Sequence, residues 1–288
     1  MRNLSKPFLV KKIVAAAIVC ILILIQGCEK DYLTINPFEA EGTTIDFLPG
    51  NALDSLHIAV VSMKCSEKKE DNLIKIKSII NSIMSSKPKT DLICFGEAIT
   101  GWYVKSAEYI TSIAETIPGP AIDSIALWSS QHHVFISFGM AEYKESKLCN
   151  SLVVTSPDGE ILSIHRKNTL TPEDEVSGYS SMQNSNTLWI KNFNLGLMIC
   201  ADVNGYWLTK QYAEADIDII LSAFASPIGL PNYNIISRRM DAWQIFPNRT
   251  GNEGGADYSG LIYVSDPAGT IRSHAINVEG FLNYTIVK

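Results

Sequence analysis

Apolar and polar residues change period repeatedly along this chain, and each change marks an element. His57-Ile58-Ala59-Val60-Val61 is a continuous apolar run after a single polar residue, the signature of a short buried strand. Leu73, Ile76, Ile80 and Ile83 then recur at helical spacing, predicting an amphipathic helix over Asp71 to Ser85. Asp91 to Phe95 reads as the next strand. Ile122, Ile125, Ala126 and Trp128 mark a second helix, and Val134 to Phe138 a further strand. Turn chemistry predicts hairpins at Ser156-Pro157-Asp158-Gly159, between Ser151–Thr155 and Ile161–His165, and at Asp266-Pro267-Ala268-Gly269, between Gly260–Ser265 and Thr270–His274. In each, Pro presets φ and Gly supplies the positive φ that closes the turn. Leu195 to Ile199 and Asp218 to Leu221 read as strands, and Tyr206 to Ala215 and Ile235 to Phe246 as helices. Strands alternating with helices, with hairpins interspersed, predict an α/β fold with mixed, buried sheets.

The N-terminus breaks this pattern. Arg2, Lys6, Lys11 and Lys12 precede an apolar run from Ile13 to Ile25 that ends Gln26-Gly27-Cys28. The run is short for a membrane span and has the layout of a secretory signal. Its end resembles a bacterial lipobox, which implies cleavage after residue 27 and lipidation of Cys28; the plainer alternative is an uncleaved signal anchor. Residues 28–55, with Pro37, Gly42, Pro49 and Gly50, read as a tether, and residues 56–288 as the folded domain. The expected location is the bacterial cell envelope, with the chain held on a membrane by acyl groups.

Length and composition change little. The chain has 288 residues, 46% of them hydrophobic, enough for a sizeable core. At a net charge of −6, with Lys and Arg dispersed, it carries no basic stripe that would point to a nucleic acid partner. Beyond Cys20 and Cys28, the cysteines at 65, 94, 149 and 200 lack metal-ligand spacing, so no metal is expected.

Candidate chemistry sits where apolar strands break into ionisable residues. Ile93-Cys94-Phe95-Gly96 leads to Glu97, Ser163-Ile164-His165-Arg166 to Lys167, and Leu195-Gly196-Leu197-Met198-Ile199 to Cys200. Taken singly, each has a plainer explanation: a surface Glu, a solvated basic cluster, a packed Cys. Taken together they offer a base, an ammonium and a nucleophile, without a His suited to a Cys–His pair.

Beyond these three breaks, the opening strand, Gly119-Pro120, Gly139-Met140-Ala141-Glu142, Asn150-Ser151, Pro157-Asp158-Gly159, Arg166-Lys167, Gly196 to Asp202, Asn248-Arg249, Gly260 and Asp266 to Gly269 follow one another in an order that resembles the nitrilase superfamily of carbon–nitrogen hydrolases. The resemblance covers about Leu56 to Lys288. It implies a four-layer αββα sandwich, paired as a homodimer, that hydrolyses a small-molecule amide without a cofactor. Glu97 would be the general base, Lys167 the oxyanion-stabilising amine and Cys200 the nucleophile. The Ala201 backbone N–H would complete the oxyanion site. Glu175 would be the supporting carboxylate, with Glu173 as the competing candidate. Three positions depart from the family pattern: Gly96 stands where Pro usually precedes the base, Ala201 where an aromatic often follows the Cys, and the acidic residue usual in the helix before Asn248-Arg249 is missing near Met240-Asp241-Ala242. Acyl transfer through the same acyl-enzyme, or an inactive ligand-binding lipoprotein, are the alternatives.

Overall fold

The computed structural model describes residues 54–87, 89–227 and 233–288. The predicted leader, Cys28 and all but the last two residues of the tether lie outside these.

Two sheets carry the fold. The first has eight strands: β1 (Ser55–Met63), β2 (Leu92–Cys94), β3 (Phe135–Lys144), β4 (Lys147–Thr155), β5 (Ile161–Arg166), β10 (Asn248–Glu253), β11 (Ala256–Ser259) and β14 (Gly280–Val287). Their order is β11-β10-β1-β2-β3-β4-β5, with β14 antiparallel along β1 from Ser55↔Val287 to Ser62↔Gly280. The second sheet runs β13 (Ile271–Ala275), β12 (Ile262–Ser265), β9 (Trp243–Phe246), β8 (Ile219–Ala223), β7 (Phe193–Ile199) and β6 (Thr187–Ile190). Parallel pairs β1·β2, β2·β3, β7·β8 and β8·β9 lie inside the sheets, and hairpins extend them outward. This is the mixed arrangement that the strand and turn pattern predicts.

Helices cover both outer faces. Ile76, Ile80 and Ile83 of α1 (Lys69–Ser86) and Ile122, Ile125 and Trp128 of α3 (Pro120–His132) pack on Ala59, Val61, Ile93, Ile136 and Phe138 of the first sheet. A short α2 (Ala107–Ile113) precedes α3. On the second sheet, Leu208 and Tyr212 of α5 (Tyr206–Glu214) and Ile236 and Met240 of α6 (Ile235–Met240) cover Met198, Ile220, Phe246 and Tyr263. Between the sheets, Leu56, Ile58, Val60, Leu92 and Leu152 meet Leu195, Leu197, Ile199, Leu221 and Val264. Alternate residues of one strand therefore serve two different cores, as Ile58 and Val60 against Ala59 and Val61 show. The result is the αββα sandwich.

One expectation fails here, and one long strand goes unpredicted. The helix predicted over Ile235 to Phe246 stops at Met240, turns through Asp241 in the left-handed region (φ 50°) and resumes as β9. Ile245 is wanted between the sheets and Phe246 on the helical side, so the segment pairs with β8 instead of continuing its helix. The long C-terminal strand β14 has no counterpart in the sequence reading. Most of its side chains are half-buried, so its pattern is weak.

Candidate active site

The three strand breaks meet at one end of the sandwich. Glu97 follows β2, Lys167 follows β5 and Cys200 follows β7, so two come from the first sheet and one from the second. Glu97 and Lys167 are almost wholly buried (0% and 1% exposed), and Cys200 is half-buried.

Backbone contacts fix Glu97. Its N–H donates to the Phe224 carbonyl beyond β8 (3.2 Å), bridging the two sheets. The Gly139 N–H of β3 donates to Gly96 (3.1 Å) and Ile99 donates back to Gly139 (2.9 Å). A Cβ at Gly139 would stand 2.3 Å from the Ala98 nitrogen, and one at Gly96 would stand 2.9 Å from the Phe224 oxygen. Both positions therefore need glycine for close approach. Arg249 of β10, fully buried, clamps the same loop from the far side. It donates to the carbonyls of Glu97 (3.2 Å), Ala98 (2.7 Å) and Gly101 (2.5 Å) and pairs with Glu253.

The Glu97 carboxylate is asymmetric. Its Oε1 accepts from Lys167 Nζ (2.7 Å) and from Asn150 Nδ2 (2.7 Å), while Oε2 is buried with no protein partner. Burial raises the pKa of Glu97, against the pull of Lys167. Burial would by itself push Lys167 down. The charge of Glu97 opposes it, reinforced by the other acidic groups around it, and Lys167 is held well above its usual range. The Cys200 thiol is pushed up by burial and then by the negative charge of Glu97, only partly offset by Lys167. At neutral pH Cys200 therefore rests as a neutral thiol, and attack by its sulfur would need a base to take the proton.

The supporting carboxylate is a correction. Glu175 and Glu173 both point into solvent, and Asp174 between them is fully buried. Its Oδ2 lies 2.7 Å from Lys167 Nζ, and its Oδ1 accepts from the Tyr103 hydroxyl (2.8 Å). Tyr103 in turn accepts from Lys167 (3.1 Å). Asp174 faces inward because α4 (Pro172–Val176) starts with a capping box. The Asp174 carboxylate accepts the Thr171 N–H (2.8 Å), and the Thr171 hydroxyl accepts the Asp174 N–H (3.3 Å). Thr171-Pro172-Glu173-Asp174 carries that box in the sequence, but the pattern by itself does not say which of the three acids reaches Lys167.

Cys200 opens a 3₁₀ turn, Cys200–Asn204, with φ +44°. A side chain in this left-handed region is held there only when its surroundings dictate it, and such positions cluster at functional sites. Here the dictating group is Asp202, another residue whose part the sequence reading missed. Its carboxylate accepts from Ile199 N (3.0 Å), His165 Nε2 (2.8 Å), Asn168 N (2.9 Å) and Thr169 N (2.7 Å). One buried carboxylate thus ties the turn after β7 to the loop that carries Lys167. Ala201 is the next residue of the turn. Its N–H is among the first of a helical turn, which have no partner within the turn itself. Cys65, Cys94 and Cys149 are buried elsewhere in the fold as unpaired thiols.

A partly buried thiol, a buried carboxylate with one oxygen free and a buried ammonium together suit nucleophilic attack on an acyl carbon. The family profile of carbon-nitrogen hydrolases matches residues 57–280. The chain belongs to this family. Its members hydrolyse carbon–nitrogen bonds other than peptide bonds, and this chain is an amidase-type hydrolase of that kind. It is similar to an (R)-stereoselective amidase of Pseudomonas sp, at 26% identity over 207 residues, covering 70% of this chain and 74% of the relative. It is similar also to the human omega-amidase NIT2, at 26% identity over 65% of this chain and 70% of that one. Among solved structures, the carbon-nitrogen hydrolase XC1258 from Xanthomonas campestris shares the fold, with a TM-score of 0.72, 19% identity, and coverage of 81% of this chain and 90% of that one. So does an amidase from Nesterenkonia sp. AN1, solved with the acetamide moiety of fluoroacetamide on its active-site cysteine. Its TM-score is 0.70 at 16% identity, covering 81% of this chain and 90% of that one.

Proposed function

We propose that this amidase works through Cys200 as nucleophile, Glu97 as general base and Lys167 as oxyanion stabiliser, and that it acts at the bacterial cell envelope, anchored through lipid on Cys28. The observation that carries the catalytic reading is the asymmetric carboxylate. Glu97 spends Oε1 on Lys167 and Asn150 and keeps a buried Oε2 with no protein partner, available to accept the thiol proton.

The steps balance without a cofactor. Cys200 Sγ gives its proton to Glu97 and attacks the amide carbon, forming the C–S bond. The carbonyl electrons move to oxygen, where the Lys167 ammonium and the Ala201 N–H hold the charge. Glu97 passes the proton to the departing nitrogen, the C–N bond breaks and an amine or ammonia leaves. The thioester is then attacked by water that Glu97 deprotonates. The C–S bond breaks, the acid leaves and the proton returns to sulfur. Asp174 and Tyr103 hold Lys167 in place throughout.

The Nesterenkonia amidase with its modified active-site cysteine supports the assignment of a nucleophilic thiol by analogy of fold. The test is intact-mass spectrometry of the protein incubated with a mixed amide library. An acyl adduct mapping to Cys200 is expected, with turnover lost in Cys200→Ala; turnover unchanged in that variant refutes the reading. The anchor rests on the basic and apolar leader and on Gly27-Cys28. Labelled palmitate should enter the wild-type chain in bacterial cells and not Cys28→Ala. Pairing into a homodimer is supported by exposed apolar side chains around the start of α5, where Tyr206 is 81% exposed, and light scattering of the folded domain tests it.

A further inference from the structure

Among the described residues five tyrosines are buried, and three of them spend their hydroxyls inside the protein. Tyr103 donates to Asp174 Oδ1 (2.8 Å), Tyr212 to the Leu197 carbonyl (2.6 Å) and Tyr263 to Gln244 Oε1 (3.0 Å). Tyr179 and Tyr258 differ. They are 5% and 6% exposed, and neither hydroxyl has a hydrogen-bond partner among the described residues. A buried phenol normally finds a partner, because leaving its hydroxyl unpaired costs free energy. Two such hydroxyls side by side point to a partner that the fold itself does not supply.

Both tyrosines stand beside the catalytic residues, although they come from unrelated segments. Tyr179 follows α4, where its N–H donates to the Asp174 carbonyl (3.0 Å), and Tyr258 lies on β11 opposite Gly251. They share one cluster with Ala98, Tyr103 and Ala225. Ala98 follows Glu97, and Tyr103 accepts from Lys167 (3.1 Å). Ala225 follows Phe224, a member of the cluster against which Cys200 packs. The Arg249 guanidinium that clamps the Glu97 loop lies 5.4 Å from the centre of the Tyr258 ring. Burial comes first in raising the pKa of both phenols, and the charge of Glu97 adds to it in each. Both are therefore protonated at neutral pH and able to donate. The catalytic steps proposed above use neither hydroxyl.

We propose that Tyr179 and Tyr258 form a subsite for the acyl part of the substrate, and that they donate hydrogen bonds to a hydroxyl or carbonyl oxygen carried on the acyl chain. A chain made only of hydrocarbon leaves both donors unpaired once it fills the site, whereas an oxygen acceptor satisfies them. Each ring is already packed, so little ordering is lost when the bonds form. The two tyrosines are thus specificity-determining residues, distinct from the groups that break the carbon–nitrogen bond.

A turnover test rests on the amidase reading; a binding test does not. For turnover, kcat/KM of the full-length protein is measured for butyramide, 3-hydroxybutyramide and acetoacetamide, and for propionamide and lactamide. Intrinsic reactivity differs within each set. Each oxygenated amide is therefore read relative to its plain partner, and that ratio is compared between wild type, Tyr179→Phe, Tyr258→Phe and the double variant. The ratio for at least one oxygenated amide is expected to fall about tenfold or more in the double variant. Which amide responds tells hydroxyl from carbonyl. Phe keeps the ring and removes an unpaired hydroxyl, so the urea midpoints of the variants are expected to match or exceed that of wild type. Ratios within about twofold of wild type for every amide, or midpoints lowered in both single variants, overturn the proposal, because the hydroxyls then serve the fold or an ordered water alone. For binding, the same amides are titrated into full-length Cys200→Ala, with and without the two Phe substitutions, and followed by ligand-observed NMR. If wild type turns over no amide, the amidase reading fails, while a binding preference for an oxygenated amide that disappears with the two hydroxyls keeps the subsite. Equal binding of plain and oxygenated amides overturns the subsite and leaves the amidase reading to the turnover data.

Discussion

Replacing Asp174 by Asn tests the arrangement around Lys167 most directly. Both carboxylate oxygens of Asp174 accept from donors: Oδ2 faces Lys167 Nζ (2.7 Å) and Thr171 N (2.8 Å), and Oδ1 faces the Tyr103 hydroxyl (2.8 Å). An amide has one oxygen, so its NH₂ must confront a donor on one side or the other. The variant loses a charge-assisted bond, about 1.5–3 kcal/mol, and strands a buried donor at about 1–3 kcal/mol. Lys167 keeps Glu97, so the loss belongs near the lower end of what breaking a buried ion pair costs, about 3 kcal/mol. Glu175→Gln, one residue along and in solvent, should stay within about 0.5 kcal/mol of wild type. Urea denaturation gives the stability difference, and the pH profile of kcat/KM gives a second readout that a purely structural role would not move. Asp174 raises the pKa of Glu97, so removing its charge should shift the acid limb of the profile to lower pH. Unchanged stability and an unshifted limb in Asp174→Asn, or a larger loss in Glu175→Gln, would refute the assignment of the supporting carboxylate.

Other expectations follow from the same geometry. Under the proposed mechanism the carboxylate form of Glu97 acts as the base, and burial raises its pKa above the ordinary 4.5. Activity should therefore fall as pH drops through a limb above 4.5, and a limb at or below that value would contradict the buried-base reading. Glu97→Gln keeps the shape and removes the base, so kcat should fall about 10²–10⁴-fold while the fold survives in circular dichroism. Asp202→Asn can no longer accept four bonds, so stability should drop by about 2–4 kcal/mol and Cys200 should alkylate at an altered rate. Arg249→Lys cannot span three carbonyls and Glu253 at once; a stability loss of about 2–4 kcal/mol is expected, and a silent variant would show that the Glu97 loop does not depend on the clamp.

Much of this was legible in the chain itself. Apolar runs break at Glu97, Lys167 and Cys200, and such a break is a local property of sequence. The helices α1 and α3 and the hairpins at Asp158-Gly159 and Ala268-Gly269 were likewise readable, since periodicity and turn chemistry act over a few residues. The identity of the supporting acid was not. Glu173, Asp174 and Glu175 are adjacent acids, and spacing alone does not say which one a capped turn aims inward; the Thr171 box and the packing of α4 decide it in favour of Asp174. Nor does sequence reveal Asp202 as a tie between two sheets, because its partners at 165, 168, 169 and 199 converge only when β5 and β7 face each other. The segment 235–246 divides into helix and strand for the same reason, as the sheet claims Ile245 and Phe246 whatever their local preference. Sequence set which residues could do chemistry, through local rules of burial and turning. Tertiary packing set which of them touch, because desolvated carboxylates and ammonium groups persist only where long-range neighbours supply their hydrogen bonds.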